Sequence, residues 1–286
     1  MKKRLTAFAS ALTLFLVGCS NTAATSSVQE TTADSTPATP LTVTFMKVGK
    51  ADGMILQTEH HTIVLDCGEK SDGKKMVERL TQYGVTGIDC LILSHYDQDH
   101  IGGAAKVISN FDVEKILAPD YEEESEEFQK MTAAMEEKGY SLEIVGETMQ
   151  FTFDDATFTV YPHLADDYAD GYDNNCSLVV KVQHHDETLL FTGDAMQERL
   201  TEIMDIGDCD LLKVPYHGRE IANLPEFLAA VTPEYGVIST DDENLSAVTM
   251  QELADRNVET YVTYQDGNII AVSDGSSIEI STEGVE

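Results

Sequence analysis

The chain holds 286 residues, with 18 lysines and arginines against 51 aspartates and glutamates, a formal charge of −33. That balance excludes a protein that coats nucleic acid nonspecifically, while 42% apolar residues and only 7 prolines exclude wholesale disorder and collagen-like structure. None of the five cysteines forms a C-x-x-C pair, so zinc-ribbon and thioredoxin motifs are absent and any metal must be held by histidine and carboxylate.

Lys2, Lys3 and Arg4 precede an apolar run from Leu5 to Val17 that closes in Leu16-Val17-Gly18-Cys19. The run is shorter than the ~20 residues of a membrane span, which disfavours the alternative of an ordinary transmembrane anchor. The segment resembles a bacterial lipoprotein signal with its lipobox. The resemblance implies cleavage before Cys19, a lipid on its sulfur, and a protein anchored to the extracytoplasmic face of a bacterial membrane. From Ser20 to Pro40 the chain is mostly Ser, Thr, Ala, Asn and Gln, too polar to offset its ordering entropy, and reads as a flexible tether. The expected organisation is residues 1–18 as signal, 19–40 as tether, and 41–286 as one folded domain.

Leu41, Val43 and Phe45 alternate with threonines as a half-buried strand, and Thr62 to Leu65 forms a continuous apolar strand. A helix is expected from Met76 to Leu80, a buried strand at Cys90 to Leu93, a helix at Ala104 to Ile108 and a strand at Glu114 to Leu117. Between Glu123 and Lys138, Phe128, Met131 and Met135 fall at helical spacing, with Gly139 as the C-cap, and this stripe reads as core. Strands follow within Phe151 to Tyr161 and at Ser177 to Val182, Thr188 to Phe191 and Leu211 to Val214, with a helix at Met196 to Met204. Strands outnumber helices, yet helices recur throughout, so two sheets flanked by helices are expected rather than one parallel sheet.

Two of the buried strands, ending in Ser94-His95 and Tyr216-His217, carry histidines at their ends. After the first, His95-Tyr96-Asp97-Gln98-Asp99-His100 packs four potential metal ligands into six residues, directly before Gly102-Gly103 and a helix. Four ligands so close cannot all face one cation. Alternation would send His95 and Asp97 to one ion and Asp99 and His100 to a neighbouring one, the logic of a two-metal site.

That motif, His95-x-Asp97-x-Asp99-His100 with Gly102-Gly103, resembles the metallo-β-lactamase superfamily, in the variant with Asp97 where most members have a second histidine. The variant is similar to the hydrolase domain of the ComEC competence DNA-channel family. Further stretches match in the same order: Val48 to Asp52, Ile63 to Gly68, Asn174 to Val179, Phe191-Thr192-Gly193-Asp194 and Leu212 to Gly218. The resemblance covers roughly residues 41 to 280 and implies a four-layer αββα sandwich: two mixed sheets with helices on the outer faces.

Carried over residue by residue, the resemblance puts His95, Asp97 and Asp194 on a first metal and Asp99, His100, Asp194 and His217 on a second, with Asp194 bridging. Asn174 or Asn175 stands where many members supply a third histidine. The oxygen-rich set moves preference from Zn²⁺ toward Mn²⁺, against the Irving–Williams order, so both ions stay open. Asp99 and Asp194 are the catalytic carboxylates, with Asp52 as candidate proton donor. Asp66 would fix a ligand histidine's tautomer or form a turn. Asn174, Asn175, Ser177, Lys213 and Arg219 are candidates for contacting substrate or supporting the ligands. His60-His61 and His184-His185 are expected in solvated hairpin turns, and His163 at most on the rim. Cys67, Cys90, Cys176 and Cys209 are expected as bystanders, their disulfide state open, because no histidine is placed to activate a nucleophilic thiol.

The implied reaction is metal-dependent hydrolysis by an activated, metal-held water, of a phosphodiester and conceivably of DNA. Alternatives are a β-lactam, lactone or thioester hydrolase on the same fold, or a metal-binding lipoprotein without turnover. The acidic chain lacks the Lys/Arg stripe of a DNA groove. Lys50, Lys213 and Arg219 are expected to form a local positive mouth, so a small or membrane-linked phosphodiester fits better than duplex DNA. Arg219 and the Asn244 to Val248 stretch, which lacks the family's His-Pro pair, depart from the pattern.

Overall fold

The computed structural model describes residues 38–285; residues 1–37, with Cys19 and the expected signal, lie outside them. Six strands open the domain: β1 (Leu41–Phe45), β2 (Gly53–Gln57), β3 (Thr62–Cys67), β4 (Gly87–Ile92), β5 (Asp112–Ala118) and β6 (Glu143–Ile144). Seven more follow: β7 (Met149–Phe153), β8 (Ala156–Tyr161), β9 (Val179–His184), β10 (Glu187–Phe191), β11 (Leu211–Lys213), β12 (Tyr235–Ile238) and β13 (Glu259–Val262). β14 (Ile269–Ser273) and β15 (Ile278–Thr282) return to the first sheet, whose order is β15-β14-β1-β2-β3-β4-β5-β6, against β13-β12-β11-β10-β9-β8-β7 in the second.

Each sheet is antiparallel on one side and parallel on the other. The parallel pairs run from β3 to β6 in one sheet and from β10 to β13 in the other. Parallel neighbours need crossovers, which the helices supply. In the first half these are α1 (Gly73–Gln82), the short α2 (Gln98–Ile101), α3 (Ala104–Asn110) and α4 (Glu126–Lys138). The one-turn α5 (Tyr172–Asn175) comes next, followed by α6 (Gln197–Glu202), α7 (Leu224–Val231), α8 (Ala247–Asp255) and α9 (Thr263–Asp266).

Period-two alternation sorts the strand residues into three apolar layers. Ile63, Leu65, Cys90, Ile92, Phe158, Val180, Leu189, Phe191 and Leu211 meet between the sheets. Val64, Leu91 and Ala118 face outward onto Met76, Leu80, Val107, Met131 and Met135. Leu190, Leu212 and Ile238 face the other way onto Leu200, Phe227, Leu228 and Leu253. The result is the expected αββα sandwich.

The methionine helix closes as its sequence demands, with Ser125 Oγ accepting from Phe128 N at 3.3 Å and Gly139 in the left-handed conformation at φ 74. Element boundaries moved by a few residues. The strand expected from Ser177 starts at Val179 because Cys176 N and Ser177 N are turned back to Tyr172 O and Asn174 O by α5. The helix expected through Met204 ends at Glu202. Thr39, in the stretch read as tether, lies on the domain: its N and Oγ1 donate to Asp155 and its carbonyl accepts from His184 Nε2 at 3.0 Å. Among the described residues no helix is long and apolar enough to cross a membrane.

Candidate metal centre

The motif residues gather where the parallel strands of both sheets end, the usual place for a site in open α/β sheets. β3 contributes Asp66, β4 leads into Ser94 to His100, β10 into Asp194, β11 into His217 and β12 into Ser239. Close backbone approach makes this convergence possible. A Cβ on Gly103 would collide with the Cys67 carbonyl, and one on Gly193 would stand 2.9 Å from Ser177 Oγ and 3.0 Å from Ser94 Cβ. Both positions therefore need glycine.

His95, His100, Asp194 and His217 meet in one buried cluster. The His95 and His100 rings lie 4.0 Å apart and those of His100 and His217 5.4 Å apart. Asp194 Oδ2 sits 2.9 Å from His217 Nε2 and Oδ1 3.4 Å from His100 Nε2, while Asp99 Oδ2 is 3.7 Å from His217 Nε2. Ligand atoms come within 4.8 Å of one another in His95–His100–Asp194 and in Asp99–His100–His217. Asp97 stands at the edge: its Oδ2 is 3.5 Å from His95 Nε2 and its side chain is 39% exposed.

The hydrogen bonds settle how each ring faces. His217 Nδ1 points at the Ser239 carbonyl at 3.0 Å, and His100 Nδ1 at Asp66 Oδ2 at 2.8 Å. Carbonyl and carboxylate oxygens only accept, so both rings carry hydrogen on Nδ1. Ser94 Oγ donates to Asp66 Oδ2 at 2.6 Å and therefore accepts from His95 Nδ1 at 3.1 Å. All three Nε2 atoms are buried and lack a hydrogen-bond partner. Three Nε2 atoms left without partners and turned toward shared carboxylates fit divalent cations, since buried polar atoms without partners are costly. Charge agrees: Asp52, Asp66, Asp97, Asp99 and Asp194 crowd a site whose ammonium groups are Lys213 and Lys50.

Burial alone would raise the Asp194 pKa, yet His217 and His100 hold it well below the ordinary value. Burial would lower that of His100, yet Asp194 and Asp66 hold it well above. Asp99 is likewise lowered: burial opposes, and His100, His217 and Lys50 prevail.

Asp66 orients the His100 ring through Nδ1. It is the extra residue of a β-bulge, where Met54 pairs Leu65 and Gly53 pairs Cys67, and has φ 58. Bulges re-aim side chains beside active sites, and Asp tolerates the left-handed region better than most residues. Asp52, a candidate proton donor, is fully buried beneath the histidines and paired with Lys213, away from the cleft. Lys213 in turn does not belong to a positive mouth. It is completely buried, donating to Gly193 O at 3.1 Å, and burial's downward pull on its pKa is overcome by Asp52 and Asp194.

The two asparagines part company. Asn175 is buried and structural, its Oδ1 accepting from Met196 N and Arg199 N and its Nδ2 donating to Asp170 O. Asn174 lines the cleft, with its Oδ1 buried and unpartnered. Ser177 Oγ accepts from Asp194 N at 3.1 Å and lies 3.4 Å from His95 Nδ1. Lys50, Asp97, Gln98, Asp99, Tyr216 and Arg219 complete a cleft of about 260 Å³ over the cluster. A larger cleft of about 500 Å³, lined by Lys47, Lys75, Arg79 and Glu283, lies elsewhere and holds no part of this cluster.

His184, expected in solvent, is buried between Ser273 Oγ and the Thr39 carbonyl. His163 spans Ala165 O and Asp120 O. Among the described residues, Cys67, Cys90, Cys176 and Cys209 are free and buried. Sequence reading missed Ser94, whose only signal was its place before His95, and the Ser239 carbonyl and buried Arg199, which donates to Ser177 O; these had none.

Residues 48–241 match the metallo-β-lactamase superfamily. The chain belongs to that superfamily. ComE operon protein 3 of Bacillus subtilis is 29% identical over 225 residues, covering 71% of this chain and 28% of that protein. Recombination protein 2 of Haemophilus influenzae is 25% identical over 205 residues, covering 68% and 24%. The chain thus spans about a quarter of the length of these curated relatives. Among solved structures, the metallo-β-lactamase fold protein YhfI of Bacillus subtilis aligns with TM-score 0.53 at 13% identity, over 78% of this chain and 95% of its own. A putative metal-dependent hydrolase of Parabacteroides distasonis aligns at 0.52 and 13%, over 78% and 93%. These likenesses establish the superfamily fold around the histidine and aspartate cluster.

Proposed function

We propose that this superfamily member is a di-metal phosphodiesterase, held by a lipid on Cys19 at the extracytoplasmic face of a bacterial membrane and acting on small or chain-end phosphodiesters. One observation carries the reading: three imidazoles, each fixed through Nδ1, present unpartnered Nε2 atoms around the shared carboxylate Asp194. His95, Asp97 and Asp194 would hold one ion, and Asp99, His100, Asp194 and His217 the other, as Zn²⁺ or Mn²⁺. A bound pair of such ions supplies Lewis acidity and activates water.

The chain's own residues prepare the site. Asp66 and Ser94 lock two imidazoles in the tautomer a ligand needs, and the Ser239 carbonyl locks the third. Ser177 steadies the Asp194 backbone, and the Lys213–Asp52 pair offsets charge below the cluster. The cleft offers Lys50 and Arg219 to an anion, which supports a phosphodiester over a neutral lactam or lactone. Similarity to the two curated relatives supports the same class, and the charge of −33 argues against a long duplex.

The test is hydrolysis of bis(p-nitrophenyl) phosphate, a dinucleotide, a β-lactam and a lactone by the soluble domain with each metal. Phosphodiester turnover that disappears on chelation and in Asp194→Asn supports the reading. Turnover confined to the lactam or lactone, or none with metal bound, overturns it.

A further inference from the structure

Arg219 lies two residues beyond His217, and the backbone explains its position. Tyr216, His217 and Gly218 are all left-handed, at φ 50, 53 and 72. Such strain in non-glycine residues persists only where surrounding structure enforces it. This turn aims His217 into the cluster and delivers Arg219 to the rim of the same cleft.

The guanidinium is fixed and has charge to spare. It lies 5.1 Å from the Tyr216 ring centroid, and its NH2 group donates to Asn244 Oδ1. Asn244 is itself held by Asp241. These immediate partners are neutral, and among the described residues no carboxylate lies within 4.0 Å of Arg219, although the chain carries 51 acidic residues. Its Nε–H is buried without an acceptor, a costly state unless something comes to accept it. Lys50, 34% exposed and 3.1 Å from Asp99, stands on the same side, close enough for the two cations to repel.

The same cleft is also lined by carboxylates. Asp97 and Asp99 line it, Asp99 being paired with Lys50.

We infer that Arg219, assisted by Lys50, binds a second, non-scissile phosphate of the substrate. The inference rests on the phosphodiesterase reading and deepens it: the substrate carries a second phosphate beside the scissile group. A fork of guanidinium donors suits a phosphate better than a lysine does. The unpartnered Asn174 Oδ1 in the same cleft suits a hydroxyl of the same molecule.

The experiment is calorimetric titration of the metal-loaded protein with thymidine 3′,5′-bisphosphate and with thymidine 5′-monophosphate. Each variant's metal content and circular dichroism are checked first. The bisphosphate should bind about tenfold tighter, as one added charge-assisted contact would give. Arg219→Ala should bring the two affinities together, and Arg219→Lys should keep part of the preference. Equal affinities in the unmodified protein, or a preference that survives Arg219→Ala, would overturn the inference. Phosphodiester hydrolysis without the preference removes this inference and leaves the functional reading. An Arg219-dependent preference without hydrolysis of any phosphodiester supports the anion site and removes the functional reading.

Discussion

Asp66 Oδ2 accepts the His100 Nδ1–H at 2.8 Å, between two fully buried side chains. The same carboxylate accepts from Ser94 N at 2.8 Å and from Ser94 Oγ at 2.6 Å, and so governs two of the three imidazoles. Its authority comes from the bulge: in a regular strand its side chain would fall on the sheet's ordinary alternation. Loss of such a ligand-orienting partner typically weakens metal binding about 10–100-fold. Asp66→Asn keeps one acceptor and the left-handed backbone and should sit near the lower figure, with Asp66→Ala near the upper. Competition with a fluorescent chelator measures both, and an unchanged affinity in Asp66→Ala would remove Asp66 from the account.

Beneath the histidines, Lys213 and Asp52 form a fully buried ion pair. Removing one partner strands a charge at a cost of about 3–5 kcal/mol, whereas replacing both with apolar groups costs far less. Lys213→Met and Asp52→Leu should each destabilise the metal-free domain by that amount in urea unfolding. The double variant should recover much of the loss. Additive losses would show that the two act independently.

The empty and loaded forms should answer pH in opposite directions. His100 has its folded pKa raised, so its contribution to the metal-free fold is present below its unfolded value of about 6.5 and is lost as pH rises through the raised value. Asp194 has its pKa lowered, so its contribution is present above about 3.8 and is lost as pH falls. Metal, in contrast, needs the neutral imidazole and displaces that proton, so its affinity rises with pH. With chelator present the melting temperature should be higher at pH 6 than at pH 9. With metal at a hundredfold excess over its dissociation constant, stabilisation of about 2.7 kcal/mol should appear and grow with pH. Parallel pH profiles in the two states would contradict the assignment.

Burial pushes the thiols of Cys90 and Cys209 up to about 12 and that of Cys176 to about 11, and raises that of Cys67 as well. Because the thiolate is the nucleophile, iodoacetamide should leave all four unmodified in the folded domain at pH 8 and label them in urea. Hydrolysis should be unaffected by the reagent. Rapid labelling of Cys176, which adjoins Asn175 and Ser177, would show an accessible site.

The sequence revealed the layers because apolar periodicity reports burial directly: alternation in β1 and the Met131–Met135 spacing each named the face they cover. It revealed the clustered residues because the His95 to His100 stretch, Asp194 and His217 are chemically conspicuous. It could not show what depends on backbone geometry. Nothing in the residues around Asp66 announces that it bulges, and the Ser239 carbonyl has no side-chain identity to read. Lys213 lies elsewhere than expected for a related reason: a lysine ending a strand ordinarily points to solvent, and its burial here rests on Asp52 and Asp194, both distant in sequence. His184 went the same way, since its partners Thr39 and Ser273 come from opposite ends of the domain.

Metal stoichiometry tests the central claim most directly. The purified soluble domain should be reconstituted with Zn²⁺ or Mn²⁺, freed of excess ion and measured by elemental analysis alongside His100→Ala and Asp194→Asn. The account expects about two ions per chain in the unmodified protein, as a two-metal site requires, and at most one in each variant. A chain that retains no stoichiometric metal, or variants that bind as many ions as the parent, would contradict it.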